Sequence, residues 1–378
     1  MFTFLHTADW QIGKQFANIE GDAGALLRTR RIETISKIAE QAACLKVDAV
    51  LVAGDVFETN QVSGKTILQT FQAMADGFDG KWFLLPGNHD SAESGSVWER
   101  IRKNFVNKNI FVLDQPEPFF LNDYGTVILP APLQRRHDSR DLTNWFDDFA
   151  CDEKFIRIGF AHGSLDNRLQ HRGEAANTIS DTRACSAHLD YLALGDWHGT
   201  LNIADRTWYA GTPEPDRFKD NDAGNVLHVE VTERGASPKV DKISVGHYQW
   251  CQMEQQLFGE SDVDGLEQNI RKSYVLDRTL LKLTLSGALS LDSRNYLDKI
   301  VEKLTASAFY LEVDDSSLSA EPSAADLDGI DQSGFVGACV GKLLSLTNNE
   351  VQAAQAQTAR LALQILYSKY KMIEDSAR

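Results

Sequence analysis

The chain has 378 residues, 43% of them hydrophobic, and a formal net charge of -16 at pH 7. That length exceeds what one hydrophobic core usually serves, so a large domain with one or two smaller units is expected, and the excess of acid excludes nucleic-acid binding through a diffuse basic surface. No apolar run approaches the roughly 20 residues that span a bilayer, and the opening MFTFLHTADW lacks the basic start of a secretory leader, so no membrane partner and a cytoplasmic location are expected.

Cys44, Cys151, Cys185, Cys251 and Cys339 are scattered without a CxxC pair, which excludes a zinc ribbon or a disulfide framework. Residues 1–248 alternate apolar runs with helical patterns. FTFLHTAD, DAVLVAGD, KWFLLPGN, TVILPAP, IRIGFAHG and YLALGDW predict central strands, because each is short, apolar and closed by a turn or polar residue. Between the first two, Ile32, Ile35, Ile38, Ala39 and Ala42 recur at helical spacing and predict a covering helix. TWYAGT and GNVLHVEVTE are rich in strand formers and suggest a second sheet.

Residues 249–316 change pattern: RTLLKLTLSGALS reads as a strand, SRNYLDKIVEKLTASA as an amphipathic helix and FYLEVDDSS as another strand, giving a small β-α-β cap. Residues 317–333 are acidic and small, the composition of a flexible linker. Residues 334–378 predict two helices separated by TNN. Leu343, Leu346, Leu361, Leu363, Ile365, Leu366 and Tyr367 give them apolar faces that, after a linker, have little local core to join, so a partner or a dimer mate is expected.

Five segments in the first region place a metal-binding residue type directly after an apolar run: HTADWQ (Asp9, Gln11), VAGDVFE (Asp55), LLPGNHD (Asn88, His89), FAHG (His162) and LALGDWHG (Asp196, His198). A residue in that position sits on the loop at the strand's carboxyl end, where open sheets leave their functional crevice. Taken singly, each Asp or Asn is an ordinary helix cap or turn former. Taken together they hold donors for two neighbouring metal ions. Asp9 and Asp55 lead, since carboxylates at strand ends can share an oxygen between two divalent cations.

In this order the segments resemble the calcineurin-like metallophosphoesterases, whose pattern reads DxH, GDxx(D/E), GNH(D/E), a lone His and GHxH. The opening FLHTADWQIGK, Glu58 and Asn60, and the run YAGTPEPDRF are most similar to the DNA-repair nucleases of that superfamily that work beside an SMC-like ATPase. Motif resemblance covers residues 1 to about 220. It implies an α+β fold, a four-layer α/β/β/α sandwich with a small cap and a C-terminal helical pair. It implies two divalent ions held by Asp9, Gln11, Asp55, Asn88, His162, Asp196 and His198, with Asp55 bridging, Asn88 and His162 on one ion and His198 on the other. By the same resemblance His89 assists the leaving oxygen and Asp90 orients its ring, a satisfied turn histidine being the alternative. His6 is expected to be buried and hydrogen-bonded rather than a ligand.

Two residues depart from the pattern: Gln11 stands where the family has the His of DxH, and Asp196 where it has the first His of GHxH. The donor set becomes harder and more anionic, which favours manganese, with magnesium next, over zinc. The resemblance implies a DNA phosphodiesterase with an SMC-family ATPase bound through the C-terminal helices. Arg135, Arg136, Arg140, Arg168 and Arg172 are candidate phosphate contacts. Two other readings stay open: a phosphomonoesterase or nucleotidase on the same core, and a weakly active DNA-binding scaffold protein in which Gln11 and Asp196 have weakened the centre.

Overall fold

Apolar runs without a polar face must be covered on both sides, and two stacked sheets with helices outside provide that cover. The computed structural model describes residues 1–105, 108–166, 177–320, 334–347 and 353–376, in two compact units, Met1–Tyr248 and Gln249–Arg378.

In the first unit, β1 (Phe2–Thr7), β2 (Ala49–Val52), β3 (Lys81–Leu84) and β4 (Ile110–Val112) run parallel in one sheet. Its other edge is built by β13 (Asn225–Val231), antiparallel to β1, and β14 (Lys239–Ser244), antiparallel to β13. The second sheet has the order β11 (Leu201–Ala204), β12 (Thr207–Tyr209), β10 (Tyr191–Gly195), β7 (Ile156–His162), β6 (Thr126–Ala131), β5 (Phe119–Leu121). A two-stranded pair, β8 (Ser164–Leu165) and β9 (Thr178–Ile179), forms a small sheet of its own that packs through Leu165 and Ile179 against the second sheet. The run GNVLHVEVTE therefore does not join TWYAGT in the second sheet. It returns to the first and covers the open edge of β1, with Phe4 opposite Val229.

Period-two alternation decides which side chain faces which layer. Phe2 and Phe4 pack between the sheets with Phe160, Tyr191 and Val229. Leu5, Val50 and Trp82 face outward onto helices α1 (Ala23–Leu45), α2 (Gly64–Ala75) and α3 (Val97–Asn104), meeting Ile35, Ile38, Phe71 and Trp98. On the far side Leu129, Leu192 and Leu194 meet Phe146 of the short α4 (Trp145–Asp148) and Ala187, just after α5 (Arg183–Ser186). The result is the α/β/β/α sandwich.

The second unit holds three parallel strands in sequence order, β15 (Gln249–Leu257), β16 (Thr279–Leu289) and β17 (Tyr310–Ala320), linked by α6 (Glu260–Ser273) and α7 (Leu291–Ser307). It thus has one more strand and helix than the expected β-α-β. β15 carries polar residues along an edge strand that buries little beyond Leu257, so its apolar signal is weak. β17 continues to Ala320, past the expected boundary at 316; the rest of the expected linker, 321–333, lies outside the described residues. In the tail, α8 (Phe335–Thr347) and α9 (Ala353–Ser376) pack through Val340, Leu363 and Tyr367, and α9 lies against β16. The tail does have a local core to join. Among the described residues no helix is long and apolar enough to cross a membrane.

One polar side chain ties the two sheets together. His6, fully buried on β1, donates from Nε2 to the Leu194 carbonyl (3.2 Å) and accepts at Nδ1 from the Tyr191 hydroxyl (3.0 Å), both on β10. A carbonyl only accepts, which assigns this tautomer. Burial lowers the imidazole to about 3 from its ordinary 6.5, against the Leu194 hydrogen bond that raises it. The unfolded chain takes up this proton near pH 6.5 and the native chain only near 3, so the contribution is complete above 6.5 and is lost as pH falls through that window. The limiting slope is about 1.4 kcal/mol per pH unit. His6→Gln, which keeps a donor and an acceptor but does not titrate, is expected to show a shallower fall of melting temperature with acid between pH 6.5 and about 3 than the parent chain; parallel curves would remove His6 from this linkage.

Candidate metal centre

The loops leaving the strands turn sharply. Asp9, Gln11 and Asp55 have φ of 53°, 43° and 52°, and Asp196 has 101°. L-residues enter this region at a cost that Asp and Asn bear best, and it swings their side chains off the strand path. Backbone hydrogen bonds hold the first two loops side by side: Asp9 N–H to Gly54 O (3.1 Å), Gln11 N–H to Asp55 O (2.8 Å) and Ile12 N–H to Val56 O (2.9 Å). Buried Arg31 on α1 fastens them from behind, donating to the Asp9, Trp10 and Glu214 carbonyls and the Thr212 hydroxyl. Two glycines leave room for the ligand types. A Cβ on Gly54 would lie 2.1 Å from His162 Nδ1, and one on Gly87 would lie 2.2 Å from Asp55 Oδ1.

Asp9, Asp55 and His162 are buried and offer ligand atoms that all lie within 4.8 Å of one another. His162 Nδ1–H donates to the Ala53 carbonyl (2.8 Å), which leaves the Nε2 lone pair facing the cluster. From Nε2 it is 3.0 Å to Asn88 Oδ1, 3.6 Å to Asp55 Oδ1 and 3.9 Å to Asp196 Oδ1. The Asn88 amide oxygen faces acceptors, the Asp55 carboxylate and Nε2; turned over, the same amide donates to them. Three carboxylates, an amide oxygen and one imidazole are a donor set for a hard divalent cation.

Electrostatics agree. Burial opposes charge on His162, yet the Asp55, Asp9 and Asp196 carboxylates push it up to about 9. Burial raises Asp9 to about 6, with His198 and His162 opposing and Asp55 and Asp196 adding. More negative charge is gathered here than the side chains neutralise, and a bound cation would balance it.

Asp196 reaches this cluster: its carboxylate accepts from Ser164 Oγ (2.7 Å) and its N–H donates to the Asp9 carboxylate (3.1 and 3.2 Å). Gln11 and His198 form a neighbouring pair, Nε2 to Nε2 at 3.4 Å. Lys14 Nζ donates to Gln11 Oε1 (3.1 Å) and to Asp216 Oδ2 (2.6 Å), while Arg217 Nη2 lies 2.8 Å from His198 Nδ1. His89 donates from Nδ1 to the Glu58 carbonyl (3.0 Å) and its N–H donates to Asp55 Oδ1 (2.9 Å).

Asp90 does not orient the His89 ring, as was expected of it. Fully buried, it accepts the N–H groups of Gly87 (2.7 Å) and Phe57 (3.0 Å), bracing the two loops that carry Asp55 and Asn88. Burial and the Asp55 charge raise it to about 8. Sequence reasoning passed over Lys14, Arg31, Asp216 and Arg217. Three of these stand inside quoted runs, IGK and PEPDRF, but none follows an apolar run directly, and only the fold brings them together.

Because a methyl at Gly87 must displace Asp55, Gly87→Ala is expected to weaken divalent-metal binding by about 10 to 100-fold, the usual cost of disturbing a metal's supporting shell, with the far-ultraviolet spectrum retained. Titration calorimetry reads this directly; unchanged affinity would remove Asp55 from the ligand set.

The SbcD subunit of the nuclease SbcCD from Escherichia coli (strain K12) is 24% identical over 277 residues, covering 64% of this chain and 68% of that protein, and its counterpart from Escherichia coli O157:H7 gives the same figures. Among solved structures, TT1561 of Thermus thermophilus aligns with a TM-score of 0.40 at 11% identity, covering 65% of this chain and 99% of that one. Purple acid phosphatase PPD1 from yellow lupin seeds aligns with a TM-score of 0.42 at 11% identity, covering 65% and 51%. The model of the calcineurin-like phosphoesterase family matches residues 2–199, more than half of the chain, and the protein belongs to that family.

Proposed function

We propose that this protein is a metal-dependent DNA phosphodiesterase, a nuclease of the SbcD type that acts in the cytoplasm with an SbcC-like SMC-family ATPase in DNA repair or end processing. The observation that carries the reading is the convergence of Asp9, Asp55, Asn88, His162 and Asp196 from the carboxyl ends of strands in both sheets. A divalent ion held there, manganese or magnesium given the oxygen-rich donors, supplies Lewis-acid polarisation of the phosphate. Asp9, Asp55 and Asp196 bring the anionic donors, and Asn88 and His162 the neutral ones. His89, with Nδ1–H tied to the Glu58 carbonyl, presents Nε2 3.9 Å from Asp55 Oδ2, where it can carry a proton to the leaving oxygen.

Two features favour a nucleic-acid diester over a small monoester. Arg135 and Arg136 are exposed on the loop after β6. That loop is joined to the Asn88 loop by Leu133 N–H to Pro86 O (3.3 Å) and Ala92 N–H to Leu133 O (2.8 Å), so flanking phosphates could meet these guanidinium groups. Arg140 is instead held by Asp138 (2.8 Å), and Arg168 and Arg172 lie outside the described residues. The second feature is the kinship with the SbcD subunit of SbcCD. On the tail, Phe335 is 85% and Ile373 70% exposed, which supports a partner surface there.

With manganese, Asp55→Ala is expected to abolish cleavage of linear DNA, and His89→Ala to keep its metal while turnover falls by about 10² to 10⁴-fold. The parent enzyme should hydrolyse bis-p-nitrophenyl phosphate ahead of the monoester. A clear monoester preference would replace the DNA reading with a phosphomonoesterase. For the partner, Phe335→Asp with Ile373→Asp should end co-purification with a co-expressed SbcC-like ATPase at an unchanged melting temperature; retained binding would place the contact elsewhere.

A further inference from the structure

With a net charge of -16 the chain repels a phosphate strand over most of its surface, and the strand is best received where cations stand without matching carboxylates. One such place adjoins the metal centre. The loop between β12 and β13 lays Arg217 and Lys219 on the segment Asp196–His198, which carries two of the expected metal ligands. Resting on the reading of this site as a DNA phosphodiesterase, we infer that Arg217 and Lys219 bind the phosphates that flank the one being cleaved and so make the enzyme selective for oligonucleotides over isolated diesters.

Asp216 organises the first of these cations. Its buried carboxylate accepts His198 Nδ1–H at 3.2 to 3.3 Å, which leaves Nε2 for a metal, and also accepts Lys14 Nζ at 2.6 Å and Arg217 Nε and Nη2 at 2.9 and 3.0 Å. One carboxylate thus answers two side-chain cations. Lys14 takes the shorter bond and turns inward, donating also to Gln11 Oε1 at 3.1 Å, whereas Arg217 is 48% exposed at its side chain. The Arg217 guanidinium lies over the face of the His198 ring, with Nη2 2.8 Å from Nδ1 and 3.5 Å from Nε2, so it takes no lone pair from the imidazole. Its Nη1 has no hydrogen-bond partner among the described residues. A guanidinium fixed along one edge and open at the other presents a preset donor to a phosphate oxygen.

Lys219 is placed by a different contact. Its N–H donates to the Arg217 carbonyl at 2.9 Å, and its ammonium lies 4.3 Å from the ring centroid of Trp197, the residue between Asp196 and His198. The side chain is exposed and forms no ion pair among the described residues. An aromatic face holds an ammonium without neutralising it, so its charge stays available to a ligand. Both cations rest on the neighbours of metal ligands or on the outer side of one, and none is itself a ligand. The reacting phosphate belongs with the metal ligands and His89; cations one layer farther out are set for the next phosphates along the strand.

The test compares a short oligothymidylate with thymidine 5′-p-nitrophenyl phosphate, a diester without a flanking phosphate, both at saturating manganese. The parent chain should show the higher kcat/KM on the oligonucleotide. In Arg217→Gln combined with Lys219→Gln that advantage should shrink by about 10-fold, the scale of a lost charge-assisted hydrogen bond, and the change should appear in KM. The fall of log kcat/KM with log salt on the oligonucleotide should become shallower by about 1 for each cation removed. Arg217→Lys, which keeps the charge, should retain most of the slope, and Lys239→Gln, which removes an exposed cation from β14, should keep all of it. Manganese titration of the double variant by calorimetry should match the parent. An unchanged advantage and slope in the double variant, or a parent that cleaves DNA without favouring the oligonucleotide, overturns this inference and leaves the nuclease reading standing. Equal losses on the two substrates, or lost manganese, would place the cations at the reacting phosphate or in the metal's support and overturn it likewise. A parent that cleaves no DNA overturns both.

Discussion

Gathering carboxylates in a buried place is the constraint around which the first unit is organised. Asp9, Asp55 and Asp90 are almost wholly buried and Asp196 half-buried, all close to a single buried imidazole. Removing such charges from water is costly unless hydrogen bonds or cations compensate. Much of the compensation comes from the main chain: the Asp9 carboxylate takes the Asp196 N–H, Asp55 takes that of His89, and Asp90 takes those of Gly87 and Phe57. Each of these bonds joins two different loops or, at Gly87, closes one on itself. The charge that demands them therefore also cements the loops into one rigid platform.

That platform needs both sheets in a fixed relation, since Asp9, Asp55 and Asn88 leave the first sheet while His162 and Asp196 leave the second. The aromatic layer of Phe2, Phe4, Phe160 and Tyr191 sets the spacing. The His6 bonds to Tyr191 and Leu194 set the lateral position of β1 against β10, the two strands that deliver Asp9 and Asp196. Apolar packing alone is non-directional; a buried polar pair is not, and a sliding of one sheet would leave it unsatisfied. Behind the site, Arg31 and Glu214 continue the same logic, with Glu214 accepting from Thr34 and from the His247 and Tyr248 N–H groups.

The departures from the family pattern belong with their neighbours. A glutamine in place of a histidine at position 11 reads by itself as a weakened ligand. Beside Lys14 and Asp216 it becomes part of a hydrogen-bonded chain running Gln11, Lys14, Asp216, Arg217, His198. Every member has a partner of complementary charge or polarity, His198 donating from Nδ1 to the Asp216 carboxylate at 3.2 to 3.3 Å. The substitution at 11 and the cations near it form one arrangement.

Much of the scaffold was legible in the residues alone. Six apolar runs became β1, β2, β3, β6, β7 and β10 because a segment without a polar face has no other place than between covered layers. Asp9, Asp55, Asn88, His162 and Asp196 were legible as a constellation because each directly ends such a run, so chain direction alone places them at one edge. Other features depended on tertiary contact. β13 went to the first sheet because the edge of β1 was open, and β15 was hidden by the polar residues an edge strand tolerates. Asp90 looked like a partner for the neighbouring ring and became a brace for two loops. Lys14 and Asp216, 202 residues apart, meet at 2.6 Å. Local periodicity and chain direction are properties of a segment and can be read from it; hydrogen bonds between loops depend on where two sheets bring them together, and that was decided by packing of the whole chain.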